Sequence, residues 1–221
     1  QMCIRDRINT KIYWKKSLVK SFDLDILRYV KKPHQNDGGL KMLNGNIGKC
    51  VAKISAVKEQ FRYIKAKTLV FDDQEEVKKA YEKGKLNRNV IIVVRNQGPK
   101  ANGMPELHSL TPMLSNVQDL GFKVALLTDG RMSGASGKIL AAIHVTPEAI
   151  DNGVIGKIED DDEIEIDANN GKLNILTDIS KRKNSLLNDM KKNQSFGRNI
   201  FNTLRIHSQG SENGGGIKLI D

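Results

Sequence analysis

The chain has 221 residues, 38% of them hydrophobic, so it can bury a core in one domain or in a domain with an extension; no apolar run reaches bilayer length and the start lacks a secretion signal. The net charge of +10 is spread over scattered lysines, and aromatics make up only 5%, which argues against a dedicated nucleic-acid surface. Cys3 and Cys50 have no Cys-x-x-Cys partners, so no zinc or iron–sulfur site is written here, and a reducing, cytoplasmic setting is expected.

Residues 1–22 have no clear period and do not open on a methionine; they read as a non-native or poorly ordered lead segment, with the domain at 23–221. Gly38-Gly39 and Asn44-Gly45-Asn46 mark turns. Val51 to Val57 alternates like a half-exposed strand, and Ala66 to Phe71 reads as another. Asp72 is expected to cap a helix over Gln74–Lys83, with acids early and lysines late as the helix dipole favours, and Gly84 to stop it.

Two apolar runs that stop at glycines come next. Val90–Val94 leads into Gln97-Gly98-Pro99, and Val124–Leu127 leads into Thr128-Asp129-Gly130-Arg131. A β-branched run of this kind predicts a buried strand ending in a shaped loop, where glycine lets the backbone approach a ligand. Between them, Pro105 is expected at the first position of a helix, with Glu106 in its first turn. That helix, or a pair divided at Pro112, runs towards Gly121.

Ala141–Val145 is a short apolar run. Thr146-Pro147-Glu148 then reads as an N-cap, a first-turn proline and a first-turn acid. Ile158–Asp167 and Lys172–Leu176 predict a hairpin through Asn169-Asn170-Gly171. Lys181–Gln194 reads as solvated helix or loop, and Gly210–Gly216 as a flexible tail. Many short strands with a few helices make the class α+β rather than a doubly wound Rossmann unit.

Several motifs nearly match and fail. Gly137-Lys138 lacks the upstream glycine and following hydroxyl of a P-loop, because Met132 and Ile139 stand there. Neither Ser133 nor Ser136 sits in a Gly-x-Ser-x-Gly elbow. The histidines, His34, His108, His144 and His207, have no metal-ligand spacing and read as ordinary polar or packing residues.

Taken together, the chain resembles the C-terminal domain of the dehydratase family that holds dihydroxy-acid, sugar-acid and 6-phosphogluconate dehydratases. The resembling stretches are Gly39-Leu40-Lys41, Gly45-Asn46-Ile47-Gly48 and Val70-Phe71-Asp72-Asp73-Gln74. Next come Gln97-Gly98-Pro99 with Asn102 through His108, Thr128 through Lys138, Ala142 through Ala149, and Phe196 through Phe201. They occur in order from Asp23 to the low 200s, and their wording is closest to the 6-phosphogluconate branch.

The resemblance implies a swivelling β/β/α domain, a barrel-like mixed sheet flanked by helices. It implies dehydration of 6-phospho-D-gluconate to the 2-dehydro-3-deoxy acid, a step of the Entner–Doudoroff pathway, in a homodimeric enzyme. It also implies a separate N-terminal domain that supplies the ligands of an iron–sulfur cluster, expected to be 4Fe-4S, and most ligands of Mg²⁺. The chain alone is then expected to be inactive.

Residue by residue, Ser133 matches the family's catalytic serine, its proton loosened by the nearby metal; a plain turn-capping serine is the other reading. Glu106 matches the family's Mg²⁺-binding glutamate. Arg131, Ser136 and Lys138 are candidates for the substrate's carboxylate or phosphate. Arg131 has a second reading as a partner of Asp129, and Lys138 as a solvated cation. Some relatives place a hydroxyl two positions after the serine, where this chain has Ala135. Two readings of other classes are a stand-alone anion-binding module without catalysis and, from the charge, an RNA-binding protein.

Overall fold

The computed structural model describes residues 4–8, 11–15, 20–36, 38–132, 138–184 and 201–218. The chain divides into two compact units, Gln1–Gly38 and Gly39–Asp221. In the first, strands β1 (Ile4–Ile8) and β2 (Lys11–Lys15) form an antiparallel ladder from Ile4↔Lys15 to Ile8↔Lys11.

The second unit is built on a closed barrel. Its strands are β3 (Leu40–Asn44), β4 (Lys49–Lys53), β5 (Tyr63–Phe71), β6 (Val90–Val94), β7 (Val124–Thr128), β8 (Leu140–Thr146), β9 (Glu163–Asp167) and β10 (Lys172–Ile175). Around the barrel they run β10, β3, β4, β8, β7, β6, β5, β9. Strands β5 to β8 are parallel neighbours, whereas the β3/β4 and β9/β10 pairs are antiparallel. The mixed barrel with flanking helices is the α+β architecture expected.

Period-two geometry explains why β6 is apolar throughout and β7 up to its last residue, Thr128, whose hydroxyl accepts the Gly130 N–H. Ile91, Val93, Ala125 and Leu127 point into the barrel, packing on Leu43, Ala52, Ile64, Ile166 and Leu173. Val90, Ile92, Val94, Val124 and Leu126 point outward into a second core beneath the helices. A strand covered on both faces has no position for a polar residue without a partner. The outer core is closed by Val77 and Ala80 of α1 (Gln74–Glu82) and by Leu110, Leu114 and Val117 of α3 (Leu110–Asp119), spaced for one helical face. Each fully buried Leu or Val contributes about 1.5–3 kcal/mol.

Three local expectations are corrected. The cap of α1 is Asp73, whose side chain accepts from the Glu75 N–H at 2.7 Å. Asp72, the expected cap, is taken instead by Arg95 and Asn96. Pro105 starts no helix: the segment after β6 forms the short α2 (Pro99–Asn102), with Pro99 in its first turn, and α3 begins only at Leu110. Pro112 lies in the first turn of α3 without dividing it, because an N–H there has no intrahelical acceptor to lose. Thr146 is not a cap either; it pairs with Lys49 as the last residue of β8, and a short 3-10 turn follows at Ala149–Asp151.

The expected 169–171 hairpin turn joins β9 to β10. Of the lysine-rich segment, 185–194 lies outside the described residues. The late segment carries α4 (Asn202–Ile206) and a 3-10 turn at Ser211–Asn213, and Glu212 pairs with Lys49 at 2.7 Å.

Candidate active site

The two glycine-rich loops leave the same ends of adjacent parallel strands, β6 and β7, so the register Val94↔Thr128 brings them side by side. Ends of parallel strands are where open loops collect functional groups.

Asp129, next after β7, is the knot between them. Its carboxylate is fully buried and accepts the N–H of Gln97 at 2.8 Å, of Asn96 at 3.1 Å and of Ala149 at 3.1 Å. One side chain thus fixes the first loop and the segment after β8 to the base of the second loop. Burial raises its pKa, against the lowering effect of the three N–H donors. It does not pair with Arg131, the partner considered for it from sequence. The first loop is further held by Arg95 Nε and Asn96 Nδ2, both on Asp72 Oδ1, and by Asn102 Nδ2 on Gln97 Oε1.

Glu148 is a second buried acid. Its Oε2 accepts from the N–H groups of Lys100 and Ala101 at the start of α2, at 3.2 and 3.4 Å, while Oε1 is buried with no hydrogen-bond partner among the described residues. Burial first, then the negative charge of Asp129, raises its pKa from 4.5 to about 7. Gly98 is what admits it: a Cβ there would stand 2.2 Å from Glu148 Oε2.

Glu106 and Arg131 meet on the outer side of these ties. Their backbones form an isolated parallel bridge, with the Leu107 N–H donating to Arg131 O at 3.1 Å. Arg131 Nη1 lies 3.1 Å from Glu106 Oε2, and Arg131 Nε donates to Met104 O at 2.9 Å. Glu106 is therefore placed by a bridge, not by a helix N-terminus as expected. Its side chain is 31% exposed and that of Arg131 49%. Lys138 is exposed, with its carbonyl accepting from Gln118 Nε2 at 3.4 Å. Ser133 and Ser136 lie outside the described residues. The structure thus brings Glu106 together with Arg131, which stands two positions before Ser133 in the chain.

Sequence reasoning missed Asp129, Glu148 and His144 as site residues. Asp129 had one signal, an acid directly after a buried strand; Glu148 was hidden because it imitates a helix-start acid. His144 is half-buried beside Arg131, and burial, then the Arg131 charge, lowers its pKa.

The residues fit the two expected cofactors unequally. Glu106 offers a half-exposed carboxylate, a hard oxygen donor suited to Mg²⁺. Among the described residues no group of three or more His, Cys, Asp or Glu could hold a metal ion, and Glu106 offers a single donor. Cys50 does not fit a cluster: it is buried in the barrel, and burial pushes its thiol up to about 12, whereas a ligand must be a thiolate.

Comparison with known proteins agrees with this architecture. The family model for the dihydroxy-acid/6-phosphogluconate dehydratase C-terminal domain matches residues 25–215. A phosphogluconate dehydratase from Helicobacter pylori is 46% identical over 221 residues, covering 96% of this chain and 36% of that protein. One from Rhizobium meliloti is 50% identical over 200 residues, covering 89% of the chain and 33% of the relative. A dihydroxy-acid dehydratase from Campylobacter lari is 41% identical over 167 residues, covering 73% and 29%. The chain spans about a third of the length of the curated relatives it matches. With a match this long and loops tied at the barrel's strand ends, the chain belongs to the dihydroxy-acid/6-phosphogluconate dehydratase family, to which it contributes the C-terminal domain.

Proposed function

We propose that the chain forms the C-terminal half-site of a phosphogluconate dehydratase, which converts 6-phospho-D-gluconate to 2-dehydro-3-deoxy-6-phosphogluconate in the cytoplasm. The single observation that carries this reading is the Glu106–Arg131 pair, set in the segments that follow β6 and β7, with Arg131 two positions before Ser133 in the chain. The identities of 46% and 50% to phosphogluconate dehydratases support the substrate.

The reaction removes a proton from C2 and the hydroxyl from C3, and the resulting enol tautomerises to the keto acid. Ser133 takes the C2 proton. Arg131 orients Glu106 through their ion pair and offers its remaining N–H groups to the substrate's carboxylate. Ser136 and Lys138 meet the phosphorylated end. Glu106 would be one ligand of a bound Mg²⁺, which would supply positive charge against the anion that builds up beside C2. The ligands of an iron–sulfur cluster would come from the other domain. The chain without that domain turns nothing over, and the complete enzyme is a homodimer.

The experiment joins the chain in frame to the upstream sequence of its gene and follows release of the 2-dehydro acid. Turnover that Ser133→Ala abolishes supports the reading. Turnover of a dihydroxy acid but not of phosphogluconate would favour the runner-up, for which the 41% match to a dihydroxy-acid dehydratase speaks. Failure of any joined enzyme to dehydrate an acid would leave the anion-binding module.

A further inference from the structure

His144 occupies an odd place for a strand residue. Along β8, Leu140 and Ala142 face the barrel interior, while Ala141 and Ile143 face the outer core. Strict alternation would put residue 144 inside and residue 145 outside. Instead Val145 is inside. His144 is the extra residue: its φ is +57°, and the pairing of β8 with β4 shifts register between Lys49 and Val51. Its N–H donates to Gly130 O, at the base of the second loop, at 2.9 Å.

Such a bulge re-aims a side chain. A left-handed conformation at a non-glycine residue is strained, and such strain collects at functional sites. Here it keeps an imidazole out of the barrel core and delivers it, half-buried, to the wall of a cavity of about 460 Å³. Met42, Val51 and Ile143 give that cavity apolar sides; Lys49, paired with Glu212, and Thr146 stand at its polar parts. The charge of Arg131, which is engaged with Glu106, acts on His144.

We propose that His144 recognises a hydroxyl group of a polyhydroxy-acid chain, and so sets specificity for a hydroxylated over an aliphatic substrate. This rests on the sugar-acid reading above. Burial, then the charge of Arg131, disfavours the cationic imidazole, and a neutral ring has one nitrogen donating and one accepting. That pair matches a hydroxyl, which also donates and accepts; a carboxylate or phosphate only accepts. The apolar sides suit the C–H faces of a sugar-acid backbone.

The first test is an NMR titration of this chain. The ring signals are assigned through His144→Asn, because asparagine tolerates the left-handed conformation. Gluconate is added up to about 100 mM, a range that detects binding in the millimolar class, with hexanoate as the six-carbon acid lacking hydroxyls. Gluconate should move the His144 ring signals at least about five-fold more than hexanoate does, and leave those of His34 and His207 still, the contrast expected of a site that bonds hydroxyls. A His144 signal that gluconate leaves in place, or that hexanoate moves equally, overturns the proposal.

The second test uses the joined enzyme. His144→Leu should lower kcat/KM for the sugar acid about 100-fold and shrink its preference over an analogue lacking one hydroxyl, with His144→Asn recovering part of both. If the enzyme is active and His144→Leu keeps the full preference, the proposal fails while the dehydratase reading stands. If the ring responds to gluconate but no joined enzyme dehydrates any acid, the dehydratase reading fails and hydroxyl recognition stands.

Discussion

Glu106 and Arg131 are joined twice, by a backbone bridge and by an ion pair at 3.1 Å, so neither side chain can be repositioned without the strand-end geometry of the other. The pair is half-exposed, and exposed pairs contribute at most about 1 kcal/mol to stability. Arg131→Met should therefore leave the melting temperature within a few degrees. In the joined enzyme it should cut kcat/KM by about 100-fold, because a misplaced positioning group costs that much. Parallel calorimetry and steady-state kinetics check both halves.

Ser133→Ala should reduce kcat by about 10³-fold, the order contributed by a positioned base, with KM little changed. A KM rise at unchanged kcat would assign the serine to binding instead.

Glu148 makes stability depend on pH. Its pKa in the folded chain, about 7, is above the ordinary 4.5, so the folded chain keeps a proton that the unfolded chain releases. That contribution is fully present below pH 4.5 and is lost as pH rises through 7, with a slope of at most about 1.4 kcal/mol per pH unit. Chemical unfolding from pH 4.5 to 7.5 should show stability falling across the window. Glu148→Gln should flatten the fall, leaving a residue of the same sign from Asp129, whose pKa is also raised.

Gly98→Ala should be destabilising through one contact, since the new Cβ lands 2.2 Å from Glu148 Oε2 and the carboxyl is hemmed in by burial. The backbone itself is not strained, with φ at −73°. In a double-mutant cycle with Glu148→Ala, the two costs should fall short of additive by more than about 0.5 kcal/mol.

Asp129→Asn should lower the melting temperature by on the order of 5–10 °C, because an amide N–H₂ would then face backbone N–H donors that the carboxylate accepts. Hydrogen exchange should show the Gln97 and Ala149 amides, both bonded to Asp129, losing protection together.

What was legible in the sequence follows from periodicity. Val90–Val94 was bounded correctly because an all-apolar run between polar segments has one physical home, a strand covered on both faces. Leu40–Asn44 was not foreseen as a strand: its alternating apolar residues, Leu40 and Met42, lie on the exposed face and Leu43 is the buried one, so the pattern does not report the core side. Pro105 and Thr146-Pro147-Glu148 misled because proline and a nearby acid suit a helix start and a loop equally well. The family's loops could be picked out by their wording, but the groups that hold them could not. Asp129 and Glu148 act through backbone N–H groups distant in sequence, and no spacing rule records those.

The strands close on themselves from β10 to β3 through the pairing Lys172↔Asn44, and the Asn46 side chain seals the end of β10 by accepting the Ile175 N–H and donating to its C=O. A closed order leaves a partner, another copy or another lobe, less edge to extend with a strand of its own. Association then favours side chains and the loops at the strand ends. On the proposed reading, contact and chemistry would then draw on the same few segments, and a change in the grip on a partner would be felt where the substrate is held.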